Sequence, residues 1–186
     1  MSIKKSILAS ILIGFGVAVL LFLGNPFGPI AFAFGLLSVC YLQADLYTGK
    51  AGYYWKNKRI ELAKILLCNL GSGYVFGLLL GCSSPQLIPV AIEKVAVWNF
   101  DAPFFLRSIF CGAIMYVCVE LFKKGTVFGI FYGVPLFIYC GFQHCIANII
   151  VLGVASWQSF TWSWTLILAI VGNLLGSIII DILSKD

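Results

Sequence analysis

Charged residues are scarce in this sequence. Asp, Glu, Lys and Arg make up 10% of the chain, hydrophobic residues reach 61%, and the mean hydropathy is +1.03. A soluble domain normally carries about 25% charged residues, so this composition excludes a soluble globular protein. It indicates an integral membrane protein, and the loops are too short to hold a soluble catalytic domain.

The chain also lacks the residues that build a metal or redox centre. It contains one histidine, His144, and seven cysteines, none of them in a C-x-x-C spacing. A zinc site, a thiol-redox centre or a disulfide framework needs close cysteine pairs or companion histidines. We therefore predict no cofactor and no metal, and we interpret the cysteines as small apolar packing residues.

Six apolar stretches are each long enough to cross a hydrocarbon core, which requires about 20 helical residues. They cover approximately residues 6–23, 28–49, 62–82, 104–122, 126–156 and 162–183. The pattern predicts an all-α membrane protein with six transmembrane helices in a single domain, residues 1–186. The first stretch follows Lys4 and Lys5 as in a signal peptide, but it lacks a small-residue cleavage site, so we expect a retained span.

The distribution of Lys and Arg predicts the orientation. With a cytoplasmic N-terminus, ten of the twelve lie on the inner side, and only Lys94 and Arg107 lie outside. We expect both termini in the cytoplasm and the protein in the cell (inner or plasma) membrane. The net charge of +5 then reflects topology and contact with anionic lipid, not nucleic-acid binding. A basic patch that steers anions into an inner vestibule is the alternative.

Two short segments interrupt the second and fifth stretches: Asp45-Leu46-Tyr47-Thr48-Gly49-Lys50, and residues 141–148, which read Gly-Phe-Gln-His-Cys-Ile-Ala-Asn. Ionisable and helix-breaking residues at membrane depth are costly and usually mark a transport pathway. A helix that begins inside the membrane has unpaired N–H groups, and its positive end can face an anion. We expect Gly49 to relieve the turn and the Asp45 carboxylate to cap the half-helix that follows.

Short matches between the two halves indicate an internal repeat. Lys5-Ser6-Ile7 matches Arg107-Ser108-Ile109, Gln43 matches Gln143, and Asn69-Leu70-Gly71-Ser72 matches Asn173-Leu174-Leu175-Gly176-Ser177. Because each half holds three spans, the second half enters the membrane from the opposite side. We predict an inverted 3+3 repeat, approximately 1–84 and 102–186, that brings two broken helices together near the midplane. Span glycines, Gly71 among them, are expected to permit close helix contacts.

Three motifs, in order along the chain, resemble the formate/nitrite transporter family. Ala44 to Gly49 resembles the loop inside the family's second span, residues 141–148 resemble its G-F-E-H-x-x-A-N signature, and Gly172-Asn173-Leu174-Leu175-Gly176 resembles its G-N-x-x-G motif. The resemblance covers nearly the whole chain. It implies an aquaporin-like fold with broken second and fifth helices, assembled as a homopentamer with one pore per subunit.

The resemblance also implies roles for individual residues. His144 matches the histidine in the middle of the pore, and Thr48 matches the hydroxyl that faces it. Asn148 would orient the ring or the permeant ion, and Lys94, in the outer loop, would make the outer vestibule positive. The cytoplasmic apolar constriction would consist of Leu46, Phe32 and Leu36, and Phe137 would contribute to the periplasmic one.

Three positions depart from the family pattern. Gln143 stands where a Glu is usual, Lys50 replaces the Asn of T-G-N, and Gly112 replaces an Asn early in the fourth span. A carboxylate beside a histidine stabilises the imidazolium. Gln143 is therefore expected to favour a neutral ring at His144.

The sequence thus predicts a channel or transporter for a small monovalent anion or its weak acid, such as formate or nitrite. His144 would exchange a proton with the anion, since histidine titrates near neutral pH, or it would act as a fixed neutral hydrogen-bond donor. A neutral-solute channel for water, urea or ammonia and a hydrosulfide channel are the alternatives. A membrane enzyme would need a cluster of ionisable residues that the sequence does not offer.

Overall fold

The computed structural model describes residues 2–185, and its regular structure is helical. In this part of the chain nine helices follow one another: α1 (Ile3–Leu23), α2 (Phe27–Tyr41), α3 (Tyr47–Tyr54), α4 (Arg59–Ser83), α5 (Leu87–Ala96), α6 (Ala102–Lys123), α7 (Phe128–Tyr139), α8 (Cys145–Ala155) and α9 (Thr165–Leu183).

Four of these helices, α1, α4, α6 and α9, are long and apolar enough to cross a membrane by length and composition. They cover the first, third, fourth and sixth apolar stretches. The second stretch is covered by α2 and the start of α3, and the fifth is covered by α7 and α8. The six stretches of the sequence therefore correspond to four long helices and two pairs of short ones.

Each pair of short helices is separated by five residues, which we call the first interruption (residues 42–46) and the second interruption (residues 140–144). Gln43 and Gly141 have φ angles of 50° and 68°, while Leu46 and His144, the last residues, are extended. The sequence matched Gln43 with Gln143. That match was wrong by two residues, because Gly141 is the residue that shares the left-handed backbone of Gln43.

Close backbone approach at glycines sets two of the helix contacts. A Cβ atom on Gly112 would overlap the carbonyl oxygen of Asn173 in α9, and one on Gly77 would overlap the carbonyl oxygen of Ile150 in α8. The expectation for Gly71 was wrong, because nothing lies within 4 Å of a Cβ placed there. Gly112, one of the departures from the family pattern, thus brings α6 against α9.

The connection between α4 and α6 contains α5 instead of the loop that the sequence predicted. The side chain of Lys94 therefore projects from a helix. The helix α6 that follows is capped by Asp101, whose Oδ1 accepts a hydrogen bond from the Phe104 N–H at 2.8 Å. This fixes where α6, which carries Arg107, begins.

Large apolar side chains cover the outside of the helices. On α4 alone, Ile60, Leu67, Val75 and Leu79 are more than half exposed. Apolar surface of this extent is unfavourable in water and is normal where a protein faces lipid or another subunit.

Candidate functional site

The N-terminus of α3 is held by Asn69, a fully buried residue of α4. The Tyr47 N–H donates to Asn69 Oδ1 at 2.8 Å, and Asn69 Nδ2 donates to the Ser6 carbonyl at 2.8 Å and the Asp45 carbonyl at 3.1 Å. One amide thus ties the first interruption to α1 and α4. We call it the first asparagine clamp.

Asn173 of α9 makes the same three bonds at the N-terminus of α8. The Cys145 N–H donates to Asn173 Oδ1 at 2.9 Å, and Asn173 Nδ2 donates to the carbonyls of Ser108 and Gln143, both at 2.8 Å. This second asparagine clamp ties the second interruption to α6 and α9. Both amides are fully buried, so each bond is made without competition from water.

Asp45 does not cap α3, contrary to the sequence prediction. The asparagine of the first clamp already accepts the Tyr47 N–H. The Asp45 carboxylate instead accepts a hydrogen bond from the Ser2 N–H at 3.2 Å, and its other oxygen lies 3.6 Å from Lys50 Nζ. A clamp from a neighbouring helix replaces the local cap because it also fixes the position of the interruption.

The clamps bring Thr48 and His144 together. Thr48 Oγ1 lies 2.9 Å from His144 Nε2, and both side chains are buried. The Ala147 N–H donates to His144 Nδ1 at 3.1 Å, so His144 caps α8 with that nitrogen. Since Nδ1 accepts, a neutral ring carries its proton on Nε2 and donates it to the Thr48 oxygen.

Two cavities flank this pair. Cavity I has a volume of about 580 Å³ and is lined by Leu36, Leu46, Gly49 and four charged residues: Lys5, Asp45, Lys50 and Lys123. Cavity II has a volume of about 270 Å³ and is lined by residues that include His144, Asn148 and two cations, Lys94 and Arg107. Each cavity therefore carries an excess of positive charge.

None of the described residues lines both cavities. We use the name apolar layer for the buried apolar side chains near the Thr48–His144 pair, namely Leu36, Leu46, Phe32 and Phe137. Leu36 and Leu46 line cavity I, and both residues are 1% exposed. Phe137 stacks on the His144 ring with 6.0 Å between ring centroids, and Phe32 packs edge-on against Phe137 at 5.9 Å. The prediction that Phe32 joins Leu36 and Leu46 was wrong, because Phe32 lines cavity II.

The polar residues at the two interruptions form two pairs of different character. Asp45 and Lys50 form an ion pair beside cavity I. At the second interruption, Asn148 Nδ2 donates to Gln143 Oε1 at 3.0 Å, a neutral amide pair that lines cavity II. Asn148 was predicted to orient the His144 ring or the permeant ion. Its side chain bonds Gln143 and not the His144 ring, and Asn148 lines cavity II.

The far end of α3 is held by a polar cluster. Trp55 Nε1 donates to the Asp181 carboxylate at 3.1 Å, the Tyr116 hydroxyl donates to it at 3.0 Å, and the Tyr53 hydroxyl donates to Glu120 at 2.7 Å. Lys185 also donates to Asp181, and this carboxylate raises the pKa of the lysine. In contrast, α8 is almost entirely buried among apolar residues.

Sequence reasoning missed four functional candidates. Asn69 was noticed only as part of a repeat, and Asn173 as part of that repeat and of the G-N-x-x-G motif, although an asparagine within an apolar span of each half was already a signal. Arg107 was given no role, yet it lines cavity II beside Lys94. Asp181 is 1% exposed, and only its position four residues before Lys185 pointed to a paired carboxylate.

A sequence model of the formate/nitrite transporter family matches residues 2–184, nearly the whole chain. The chain belongs to the formate/nitrite transporter family. A member of this family is a channel or transporter and not an enzyme, and the apolar helices make the chain a multi-pass membrane protein.

Individual relatives agree with this assignment. The chain is 26% identical to a protein of Bacillus subtilis (strain 168) described as the uncharacterized transporter YrhG, over 83% of this chain and 68% of the relative. Among solved structures, it resembles an FNT family ion channel (TM-score 0.77, 17% identity, 98% of this chain and 86% of the other). It also resembles a pentameric formate channel with formate bound (TM-score 0.75, 17% identity, 98% and 92%).

Proposed function

We propose that the chain forms a pore for small monovalent anions, or for their weak acids, that runs from cavity I to cavity II past Thr48 and His144. The observation that carries this proposal is the hydrogen bond of 2.9 Å between these two side chains. It is the polar contact inside an apolar layer that separates two positively charged cavities. Polar groups at such depth are costly unless they serve a permeant.

The charges of the cavities favour an anion as the permeant. Lys5, Lys50 and Lys123 on one side, and Lys94 and Arg107 on the other, raise the local concentration of small anions. The apolar layer then opposes a bare charge, because its desolvation costs several kcal/mol or more. An anion crosses this layer as its weak acid, or as an ion that exchanges water for protein hydrogen bonds.

The geometry of His144 supports the fixed-donor mechanism over proton exchange by the ring. Nδ1 accepts the Ala147 N–H, so a second ring proton there would break the cap of α8. The neutral ring keeps its proton on Nε2 and can turn this donor from Thr48 to a permeant oxygen. The Thr48 hydroxyl hydrogen, which has no other acceptor among the described residues, supplies a second donor. In this mechanism, any effect of a proton gradient comes from the acid form of the permeant.

The matched clamps support an inverted 3+3 repeat within one domain, residues 1–186, with α2/α3 and α7/α8 as broken spans. Asn69 and Asn173 make equivalent bonds to equivalent partners, Ser6 with Ser108 and Tyr47 with Cys145. The halves would place their half-helix N-termini against each other at the midplane. This arrangement positions Thr48 of one half against His144 of the other.

Assembly and orientation complete the proposal. The relative described as a pentameric formate channel with formate bound supports a homopentamer with one pore per subunit, and formate or a similar anion as permeant. The exposed apolar faces would contact lipid and neighbouring subunits. The distribution of Lys and Arg supports a cytoplasmic location for both termini, and with them for cavity I, in the cell membrane.

The test is uptake of formate and nitrite by proteoliposomes, with and without an inward proton gradient, compared with His144→Ala and with empty liposomes. Uptake well above that of empty liposomes, and reduced in the variant, is expected. Uptake of water, urea or hydrosulfide but of neither anion, by well-folded protein, would replace the anion pore with one of the other channel classes.

A further inference from the structure

We propose that Lys50 is an anion-binding site in cavity I and that Asp45 is its resident counter-ion, which the arriving anion displaces. This inference rests on the proposed function, since the ligand is the permeant itself: a monovalent anion of about three heavy atoms. It assigns a role to a lysine that stands where the family commonly has an asparagine.

The ion pair is positioned for exchange. The separation of 3.6 Å between Lys50 Nζ and Asp45 Oδ1 is longer than a direct hydrogen bond, and the Lys50 side chain is 30% exposed. Asp45 Oδ2 accepts the Ser2 N–H, so the carboxylate keeps a partner when Lys50 turns away. When an incoming anion displaces Asp45 from Lys50, the carboxylate is therefore not left buried without a partner.

The equivalent pair at the second interruption shows what the charges add. Gln143 and Asn148 occupy the places of Asp45 and Lys50, five residues apart in each case, and are joined by a direct hydrogen bond of 3.0 Å. The neutral amide pair satisfies the same structural need without any charge. An ion pair here is consequently not required to hold the interruption in place.

The surroundings of Lys50 favour an anion. The other lysines that line cavity I are Lys5 and Lys123, and Asp45 is the only acidic residue among the lining residues described. A water molecule occupies about 30 Å³ of the liquid, so the cavity of about 580 Å³ holds a small anion together with several waters. Lys50 lies two residues after Thr48 on the same half-helix, next to the entry of the apolar layer.

The experiment measures the half-saturating formate concentration for uptake into proteoliposomes without a proton gradient. We compare Lys50→Met, Lys50→Asn, Asp45→Asn and the double variant Asp45→Asn/Lys50→Met. The matched control is Lys124→Met, which removes the same charge from an ion pair of 3.9 Å with Glu120, on a lysine that does not line cavity I. Asp45→Asn retains an oxygen that can accept the Ser2 N–H.

Loss of Lys50 should raise the half-saturating concentration on the order of fivefold, as expected for a partly exposed charge pair. Asp45→Asn should lower it, because the competitor is gone, and the double variant should resemble Lys50→Met. Equal values for Lys50→Met, Lys124→Met and wild type would overturn the proposal, as would an effect of Asp45→Asn that persists without Lys50.

Binding is measured independently by the line width of ¹³C-formate in the presence of detergent-solubilised protein. The Lys50 variants should lose part of the broadening that the wild type and Lys124→Met produce. Uptake that depends on His144 but not on Lys50 would refute only this site. Protein that transports no anion, yet broadens formate through Lys50, would refute the proposed function and retain the site. If Lys50→Met does not fold, Lys50→Asn, the residue common in the family, provides the same comparison.

Discussion

The two interruptions have the same backbone and different side chains. Each begins with a turn that contains a residue at positive φ, ends in an extended residue, and is fixed by one buried asparagine. The extended residue is Leu46 in the first interruption and His144 in the second. The shared geometry thus accompanies the start of each half-helix, whereas the histidine of the proposed pore is supplied by the second interruption only.

The half-helices also differ in how they are held. Apolar neighbours bury nearly all of α8, and Gly77 lets its backbone approach α4. By contrast, only four of the eight residues of α3 are buried, and hydrogen bonds to Asp181 and Glu120 fix its far end. The half-helix that carries Thr48 therefore depends on polar contacts, and the one that His144 caps depends on packing.

The largest expected effect comes from removing either asparagine clamp. Asn69→Leu and Asn173→Leu each break three buried hydrogen bonds and leave an N–H group without a partner, at a cost of about 3–5 kcal/mol. We expect similar, large losses of melting temperature in detergent for both variants. The control Asn57→Ala changes an exposed asparagine and should melt like the wild type. A large loss of melting temperature for only one of the two variants would show that the two interruptions are not held in equivalent ways.

A smaller effect is expected where α8 packs against α4. Gly77→Ala places a Cβ against the Ile150 carbonyl and should lower the free energy of unfolding by about 1–3 kcal/mol. Gly71→Ala, in the same helix, meets open space and should be neutral or stabilising, because alanine favours helix more than glycine does. Thermal unfolding of the two variants side by side is the measurement. Equal stability would mean that the close contact does not hold α8.

Formate uptake through the apolar layer should depend on Thr48 and not on Ile146, the equivalent residue of α8. Thr48→Val keeps the shape but removes the partner of His144 and one donor, so formate uptake should fall about tenfold. Ile146 occupies the equivalent place on α8, and Ile146→Val should leave uptake close to wild type. Equal losses in the two variants would show that packing in the layer, not the hydroxyl, limits transport.

The smallest effect concerns the positive φ angles. Gly141→Ala should cost about 1 kcal/mol, because a side chain at φ 68° is strained. Gln43→Gly should be nearly neutral, since relief of the strain at φ 50° is offset by the greater freedom of glycine in the unfolded chain. The difference in melting temperature between the two variants tests this, and a stabilised Gly141→Ala would contradict it.

The sequence predicted the fold class and the interruptions because composition and broken apolar runs report directly on the membrane. It also named His144 and Thr48, the two side chains that the structure pairs, through local motifs. It could not predict that Asn69 would replace Asp45 as the cap, since this depends on which helix lies beside the interruption. Phe32 was grouped with Leu36 on the cytoplasmic side, although it lines cavity II. The sequence could not separate them, because apolar residues one helical turn apart look alike.

Charges near the ends of helices were the hardest to interpret. Arg107 and Asp181 both lie close to a helix terminus, where a charged residue normally faces water or headgroups. The structure turns Arg107 towards cavity II and buries Asp181 between α3, α6 and α9. The packing of neighbouring helices decides which charged residues near helix ends point inward.

The most direct measurement compares formate uptake, with and without an inward proton gradient, by the wild type, His144→Gln and His144→Leu. Glutamine can offer an N–H near the position of Nε2 but does not titrate, so the fixed-donor mechanism predicts reduced uptake with the same ratio between the two conditions as in the wild type. His144→Leu should lose uptake in both conditions. If His144→Gln loses only the gradient-stimulated part, the ring itself exchanges the proton, and the fixed-donor mechanism is wrong.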